Sequence, residues 1–241
     1  LKLSLRADYA RRDLTGVDLS PSGAVIDRRG RSELFNASAR ARWAVEAGTT
    51  ALAWVHHSYF RDQLLQDQRA ARDLDQYQDA RESLWEAGLQ VDRQVGPHLL
   101  TAGLEGLWES LTSPRIEGGM GRRARGALLA QDDWRVLSAP RLAVMPGVRV
   151  DFDSQFGSSA SPRIALRLEP LEQLVLRAAY GWGFRSPSFQ ELFLHFENPS
   201  VGYVVDGNPE LRPETSQGWN LSSDFHPSES LTVSLSLFRT E

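Results

Sequence analysis

"SPRIALRLEPLEQLVLRAAYGWGF" runs from Ser161 to Phe184 and reads as two strands, 161 to 169 and 173 to 183, joined by the short "EPLE" at 169 to 172. In the second strand Leu174, Leu176, Tyr180 and Trp182 share one face and Arg177 takes the other; in the first, Arg163 and Arg167 share a face. Successive strand residues point to opposite sides, so the stretch describes a sheet with one apolar and one charged surface. The same period of two recurs outward in both directions. It predicts strands near 1 to 12, 32 to 46, 50 to 63, 81 to 95, 98 to 112, 124 to 138, 141 to 153, 215 to 226 and 230 to 241, about eleven in all.

The connections alternate in length. "EAGTT" (46 to 50), "VGPH" (95 to 98), "SAP" (138 to 140), "EPLE" and "HPSES" (226 to 230) are short, whereas 13 to 31, 64 to 80, 113 to 123, 154 to 160 and 184 to 214 are read as long loops. Tight turns on one rim and long loops on the other are the layout of an up-and-down outer-membrane barrel.

Tryptophan and arginine test that reading independently. All seven Trp residues are assigned to the apolar face. Trp85, Trp108, Trp182 and Trp219 lie toward the long-loop ends and Trp43, Trp54 and Trp134 toward the short-turn ends, as two aromatic girdles would. Arg40, Arg42, Arg149, Arg163, Arg167 and Arg177 fall on the opposite face with Asn36, Glu86, Gln90, Glu105, Gln131, Asp133, Asn220 and Asp224. An Arg facing lipid at mid-bilayer costs about 2–4 kcal/mol, so that face is the lumen. Asp132 dissents, having the parity of Leu128 and Trp134, and is assigned either to a bulge or to the membrane interface. A soluble sheet with one solvated face shares the alternation but gives no reason to sort Trp to two ends.

Composition narrows the classes. Hydrophobic content of 41% with 24% charge, and no run of about 20 apolar residues, exclude a helical membrane bundle. A net charge of −4 with scattered arginines gives no nucleic-acid footprint, and the absence of Cys removes disulfides and thiolate metal sites. The chain opens in mid-alternation at "LKLSLRADYA", and eleven strands is an odd count where closed bacterial barrels are even, so it is expected to be part of a longer barrel. The predicted fold class is all-β: an antiparallel up-and-down transmembrane β-barrel, incomplete, with one partial barrel domain over 1–241.

The loop from 184 to 214 is patterned. Gly181 and Gly183 are expected to let the ninth strand leave the wall, Ser188-Phe189-Gln190-Glu191 is a capping box after Pro187, a short helix should reach Leu194, and Pro199 should end it. Asn208-Pro209 and Arg212-Pro213 favour extended and turn geometry before the next strand.

"YGWGFRSPSFQELF" followed by "GNPELRPETS" resembles the C-terminal half of the barrel of TonB-dependent outer-membrane receptors, through Phe184, Arg185 and Pro187 in the first block and Asn208, Pro209, Leu211, Pro213 and Glu214 in the second. "SPRIALRLEP" (161 to 170) and "AQDDWRVLSAPRLAVMPGVRVD" (130 to 151) are similar to the family as well. Ser186, Glu210 and Arg212 depart mildly from the usual Ala, Asp and Lys. The resemblance implies a 22-stranded barrel, of which about eleven strands are present, closed by an N-terminal plug. Such receptors sit in the bacterial outer membrane among lipid and lipopolysaccharide, take up iron chelates, haem, cobalamin or sometimes sugars, and draw energy from the TonB complex through a segment ahead of the plug. On that reading the plug domain and the signal peptide are expected to lie outside this chain.

The resemblance also places His195 where haem receptors of the family carry a haem ligand, so His195 is a metal ligand only if the cargo is haem. Phe196 and Tyr203 are candidates to line the same mouth, or to pack the loop. His56 and His57 are neighbours in a strand, face opposite sides and cannot clamp one metal. "GGMGRRARG" (118 to 126) precedes a strand instead of a helix, so it is read as a flexible basic loop, with lipopolysaccharide or an anionic ligand as the alternative partner. The acidic run at 67 to 79 is read as a solvated loop. No catalytic residues and no cofactor are expected; a barrel enzyme such as a lipase would need a Ser and His facing one another at the outer rim. The leading expectation is an active importer of a metal complex, and the alternative is a small passive porin or adhesin barrel.

Overall fold

A computed structural model describes residues 1–241 except 21, 22, 73 and 199–201, and the side chain of residue 198. Eleven strands form one antiparallel sheet in chain order: β1 (Lys2–Leu19), β2 (Val25–Glu46), β3 (Thr49–Gln68), β4 (Gln76–Val95), β5 (His98–Thr112), β6 (Met120–Ser138), β7 (Arg141–Asp153), β8 (Gly157–Leu171), β9 (Leu174–Arg185), β12 (Glu214–Ser228) and β13 (Leu231–Thr240). Between β9 and β12 lie a one-turn helix, α1 (Phe189–Phe193), and a separate two-stranded ribbon of β10 (His195–Asn198) and β11 (Tyr203–Asp206). The first and last strands of the sheet are not paired with each other, so the sheet is an open arc of barrel wall.

Register fixes the faces, because residues directly opposite in an antiparallel pair project to the same side. Trp85 pairs with His57 and Trp108, Trp219 with Tyr180, and Trp43 with Ala51, all on the surface that carries Leu104, Leu128 and Leu176. Trp108 and Trp182 are 53% and 50% exposed, an exposure that water would not tolerate across a whole sheet face and that hydrocarbon favours. Phe35 and Trp43 on β2 are eight positions apart, about 20 Å in depth for a strand rising about 3.3 Å per residue and tilted about 40°.

Trp54 is a correction. It pairs with Arg40 and Gly88 and therefore faces the lumen, with Leu52, so six of the seven tryptophans share the lipid face. Its ring lies over the Gly88 backbone, where a Cβ would come within 2.1 Å of Cζ2. A bulky luminal ring is accommodated because its cross-strand partner has no side chain.

The strands also run further than the hydrophobic alternation. The segments read as loops at 13 to 31 and 64 to 80 are largely strand, leaving connections at 20 to 24 and 69 to 75. Alternation stops at the membrane surface because both faces of the sheet are then wet, while backbone pairing continues. Beyond the aromatic row Tyr9, Phe35 and Tyr59, the outward positions carry Arg11, Glu33 and Arg61. Tyr9 Oη donates to Glu33 at 3.0 Å, Arg11 and Arg31 each donate to Asp13 at 2.8 Å, and Arg61 donates twice to Asp79 at 2.8 Å. Within the lumen, Arg149 donates to Glu105 at 2.5 Å and Asp151 at 2.9 Å, and Arg177 to Asp224 at 2.5 Å.

Candidate functional site

The patterned loop is held down by a small core of its own. Phe189 packs with Leu111 at the long-loop end of β5 and with Ile116 in the turn that follows it, and Phe193 packs against the same cluster. The buried Arg123 side chain lies 5.1 Å above the Phe189 ring, donates to Glu109 at 2.5 Å and to the Pro187 carbonyl at 2.6 Å. Arg125 donates to the other oxygen of Glu109 at 2.9 Å. The basic stretch thus belongs mainly to β6, from Met120 on, with two of its arginines engaged internally; it is not a flexible loop.

α1 forms as its capping box dictates. Ser188 Oγ accepts from Glu191 N at 3.2 Å and Glu191 Oε2 accepts from Ser188 N at 2.7 Å. The helix stops at Phe193, with Leu194 as cap, and the chain turns straight into β10; the terminating role expected of Pro199 lies outside the described residues. Gly181 and Gly183 do not release the wall. Both stay paired with β12, and β9 continues to Arg185 opposite Glu214.

The two motif blocks meet each other here. Arg185 donates to Glu191 at 2.6 Å and lies 3.3 Å from Glu214, so the arginine of the first block joins the helix cap to the glutamate of the second. The Arg185 bond first, then the two bonds with Ser188, hold the Glu191 carboxyl down to about 2. Asp153 at the end of β7 accepts from Ser186 Oγ at 2.9 Å, tying the same block to the neighbouring hairpin. Asn208 N donates to the Glu191 carbonyl at 2.8 Å and Asn208 Oδ1 accepts from Glu210 N at 2.9 Å, while Gly207 N donates to the Leu194 carbonyl at 2.7 Å. A Cβ on Gly207 would sit 2.7 Å from the Leu192 carbonyl carbon, so only glycine permits this approach. Phe184 is half-buried, Pro187 buried and Pro213 half-buried, whereas Pro209 and Leu211 are exposed.

The loop also reaches across to the turn between β5 and β6. Glu117 N donates to the Phe193 carbonyl and His195 N to the Arg115 carbonyl, both at 2.7 Å. No periodicity signals this union; it joins residues 76 and 80 positions apart in the chain.

The three candidate ligand residues are divided between the two faces of the β10–β11 ribbon. Phe196 is half-buried, with Tyr203 edge-on at 5.9 Å and the Arg115 guanidinium 4.5 Å above its ring. With Arg115 it closes a cavity of about 110 Å³ against Ile26, Leu64 and Leu74, which is a packing position. His195 is on the other face and exposed. Its Nδ1 is 2.7 Å from Asp206, and its Nε2 is 3.5 Å from Glu197. Asp206, then Glu197 and Glu117, raise its pKa above the ordinary imidazole value. His57 and His56 do face opposite sides, His57 stacking on Trp85 at 4.1 Å in the outer girdle.

A family model described as TonB dependent receptor-like, beta-barrel matches residues 2–241. The "Iron-regulated outer membrane virulence protein" of Vibrio cholerae is 33% identical over 153 residues, covering 61% of this chain and 23% of that protein. The "Vitamin B12 transporter BtuB" of Vibrio vulnificus is 36% identical over 70 residues, 29% of this chain and 10% of its own length. Among solved structures, a variant of the ferric enterobactin receptor PfeA of Pseudomonas aeruginosa superposes with a TM-score of 0.73 at 19% identity, covering 99% of this chain and 40% of that one. The siderophore receptor PirA of the same species gives 0.64 at 19% identity, covering 99% and 49%. The chain therefore spans under a quarter of these curated relatives and under half of these solved chains.

Proposed function

Since the chain belongs to the TonB-dependent receptor-like β-barrel family of the outer membrane, we propose that it forms part of the wall of a receptor that binds an iron complex on its outer loops and imports it with TonB energy. The observation that carries this reading is the docking of α1 and the β10–β11 ribbon onto the β5–β6 turn, which holds a loop rigidly over a charged lumen. A fixed platform of this kind suits capture of a scarce ligand, because ordering has been completed before binding. The names of the relatives favour iron: one is iron-regulated, and the solved neighbours are siderophore receptors. A plug filling the lumen, a segment reaching TonB, and contact of the outer rim with lipopolysaccharide are parts of the same proposal.

The test is uptake of radioactive iron chelates by iron-starved cells making the full-length receptor, with and without a working TonB system. Saturable, TonB-dependent uptake is expected. Uptake of unrelated small solutes that ignores TonB would overturn it in favour of a passive pore.

Haem as the cargo is a second reading, and His195 is the observation favouring it. The Asp206 carboxylate orients the ring through Nδ1, and Nε2, 3.5 Å from Glu197, is the atom that would ligate. Haemin titration of the full-length receptor should then show a Soret shift that His195→Ala removes; an unaltered Soret band in H195A sinks the haem reading and leaves iron-chelate import untouched.

A further inference from the structure

Arg115, in the turn between β5 and β6, stands apart from the arginines around it. Arg123, Arg149, Arg177 and Arg185 each reach a carboxylate. Among the described residues Arg115 pairs with none, and its Nε is shut away from solvent with no hydrogen-bond partner. The residue is nonetheless held in place. Its N donates to Ser113 Oγ at 3.1 Å, its carbonyl accepts from His195 N at 2.7 Å, and its guanidinium lies 4.5 Å over the Phe196 ring. A positioned guanidinium with a buried, unmatched donor calls for an anion from outside the described chain.

Stacking on Phe196 covers one face of the guanidinium and leaves its in-plane N–H groups, the fork that matches the two oxygens of a carboxylate. Arg115 lines the cavity of about 110 Å³ between the ribbon and β2–β4, and Gln66 and Gln76 line it too. These glutamines are directly opposite each other on β3 and β4, half-buried, and no hydrogen bond engages either side chain among the described residues. Gln66 has the luminal parity of Trp54, so the cavity lies inside the wall at the outer mouth, on the route of a cargo. Asp18, opposite Ile26 on the neighbouring strand, is already 3.4 Å from Arg28. At about 30 Å³ per water the space takes a few waters or one carboxylate, and it is too small for a whole iron chelate.

We propose that this cavity seats a free carboxylate carried by the imported iron complex, with Arg115 as its ion-pair partner and Gln66 and Gln76 as amide donors. Phe196 is a positioning residue that fixes the guanidinium plane. The assignment rests on the import reading above and adds the chemistry of the cargo: a chelate with a carboxylate arm that enters the cavity while the iron stays outside it.

Trifluoroacetate, a carboxylate small enough to enter, is the probe, and its ¹⁹F line width with the purified full-length receptor in detergent is the readout. The parent should broaden the line, and Arg115→Gln and Arg115→Lys should each weaken binding about tenfold or more, the effect of losing a charge-assisted fork. Amide exchange at His195 equal to the parent's shows that the loop stays docked in both variants. Ferric citrate, which carries free carboxylates, should displace the probe; ferrichrome, a neutral hydroxamate complex without a carboxylate, should not. No broadening by the parent, or broadening that survives R115Q, overturns the seat. Displacement by inorganic phosphate but not by ferric citrate, or by ferrichrome as readily as by ferric citrate, overturns its role in holding cargo. None of these readings needs TonB, so failure of import and failure of the seat are told apart.

Discussion

Removing the Phe189 ring should undock the outer loop while leaving the wall intact. Phe189 is 7% exposed, and its neighbours Leu111 and Ile116 are 3% and 5% exposed, so the substitution Phe189→Ala opens a cavity in a fully formed, though small, core. Buried Phe→Ala changes cost about 3–5 kcal/mol, and a cluster this small argues for the lower end, about 3 kcal/mol. None of the wall's ladder hydrogen bonds depends on the ring, so the loss falls on loop docking. At 1.4 kcal/mol per tenfold, the open population should rise by about 10²-fold. Hydrogen exchange on the full-length receptor reads this directly. The amides of Leu192, His195, Gly207 and Asn208, which donate to Ser188, Arg115, Leu194 and Glu191 carbonyls, should exchange faster by that factor, while β4 and β5 amides hold. Gly121→Ala attacks the same contact from the other side, since its Cβ would come 2.7 Å from the Phe189 ring, and should show the same exchange pattern. Unaltered protection at those four amides in both variants would refute the claim that this cluster holds the loop.

Acid should loosen the same loop through Glu191. Its carboxyl is depressed from 4.5 to about 2, so its stabilising contribution is complete above about 4.5 and is lost as pH falls toward 2; loop exchange, corrected for intrinsic rates, should be flat from neutrality to about pH 5 and accelerate below, and a profile unchanged by Glu191→Gln would contradict it. Elsewhere on the luminal face, Gly88→Ala should destabilise the barrel by about 1–3 kcal/mol, because the Trp54 ring must move. A heat-modifiability midpoint equal to the parent's would show that Trp54 does not rest on Gly88.

Much of this molecule is legible in its sequence because period-two alternation is a local property. Arg163, Arg167 and Arg177 against Tyr180 and Trp182 define two faces with two solvents, and the alternation of short and long connections implies the up-and-down order of the eleven wall strands. The capping box is equally local: four consecutive residues specify α1, and they form it. Asp132, which breaks parity, keeps its outward place with His98 as partner and Trp134 beside it, at the interface.

Alternation identifies faces only where the two sides of the sheet meet different media. Above the aromatic row both sides are wet, the hydrophobic signal vanishes, and only pairing between β1, β2, β3 and β4 reveals how far they rise. The company of Trp54 in its own strand suggests the apolar face, but its side is decided by Arg40 and Gly88 on the two flanking strands, which register alone brings opposite it. The convergence of Arg185, Glu191 and Glu214, the docking of Phe189 against Leu111 and Ile116, and the division of His195 from Phe196 and Tyr203 likewise arise between distant segments. A membrane wall and its polarity can be read residue by residue, since they follow from each side chain and its near neighbours; strand reach, the side of Trp54 and the fixed posture of the loop arise only on folding, since backbone pairing and close packing are properties of segments that meet in the folded chain.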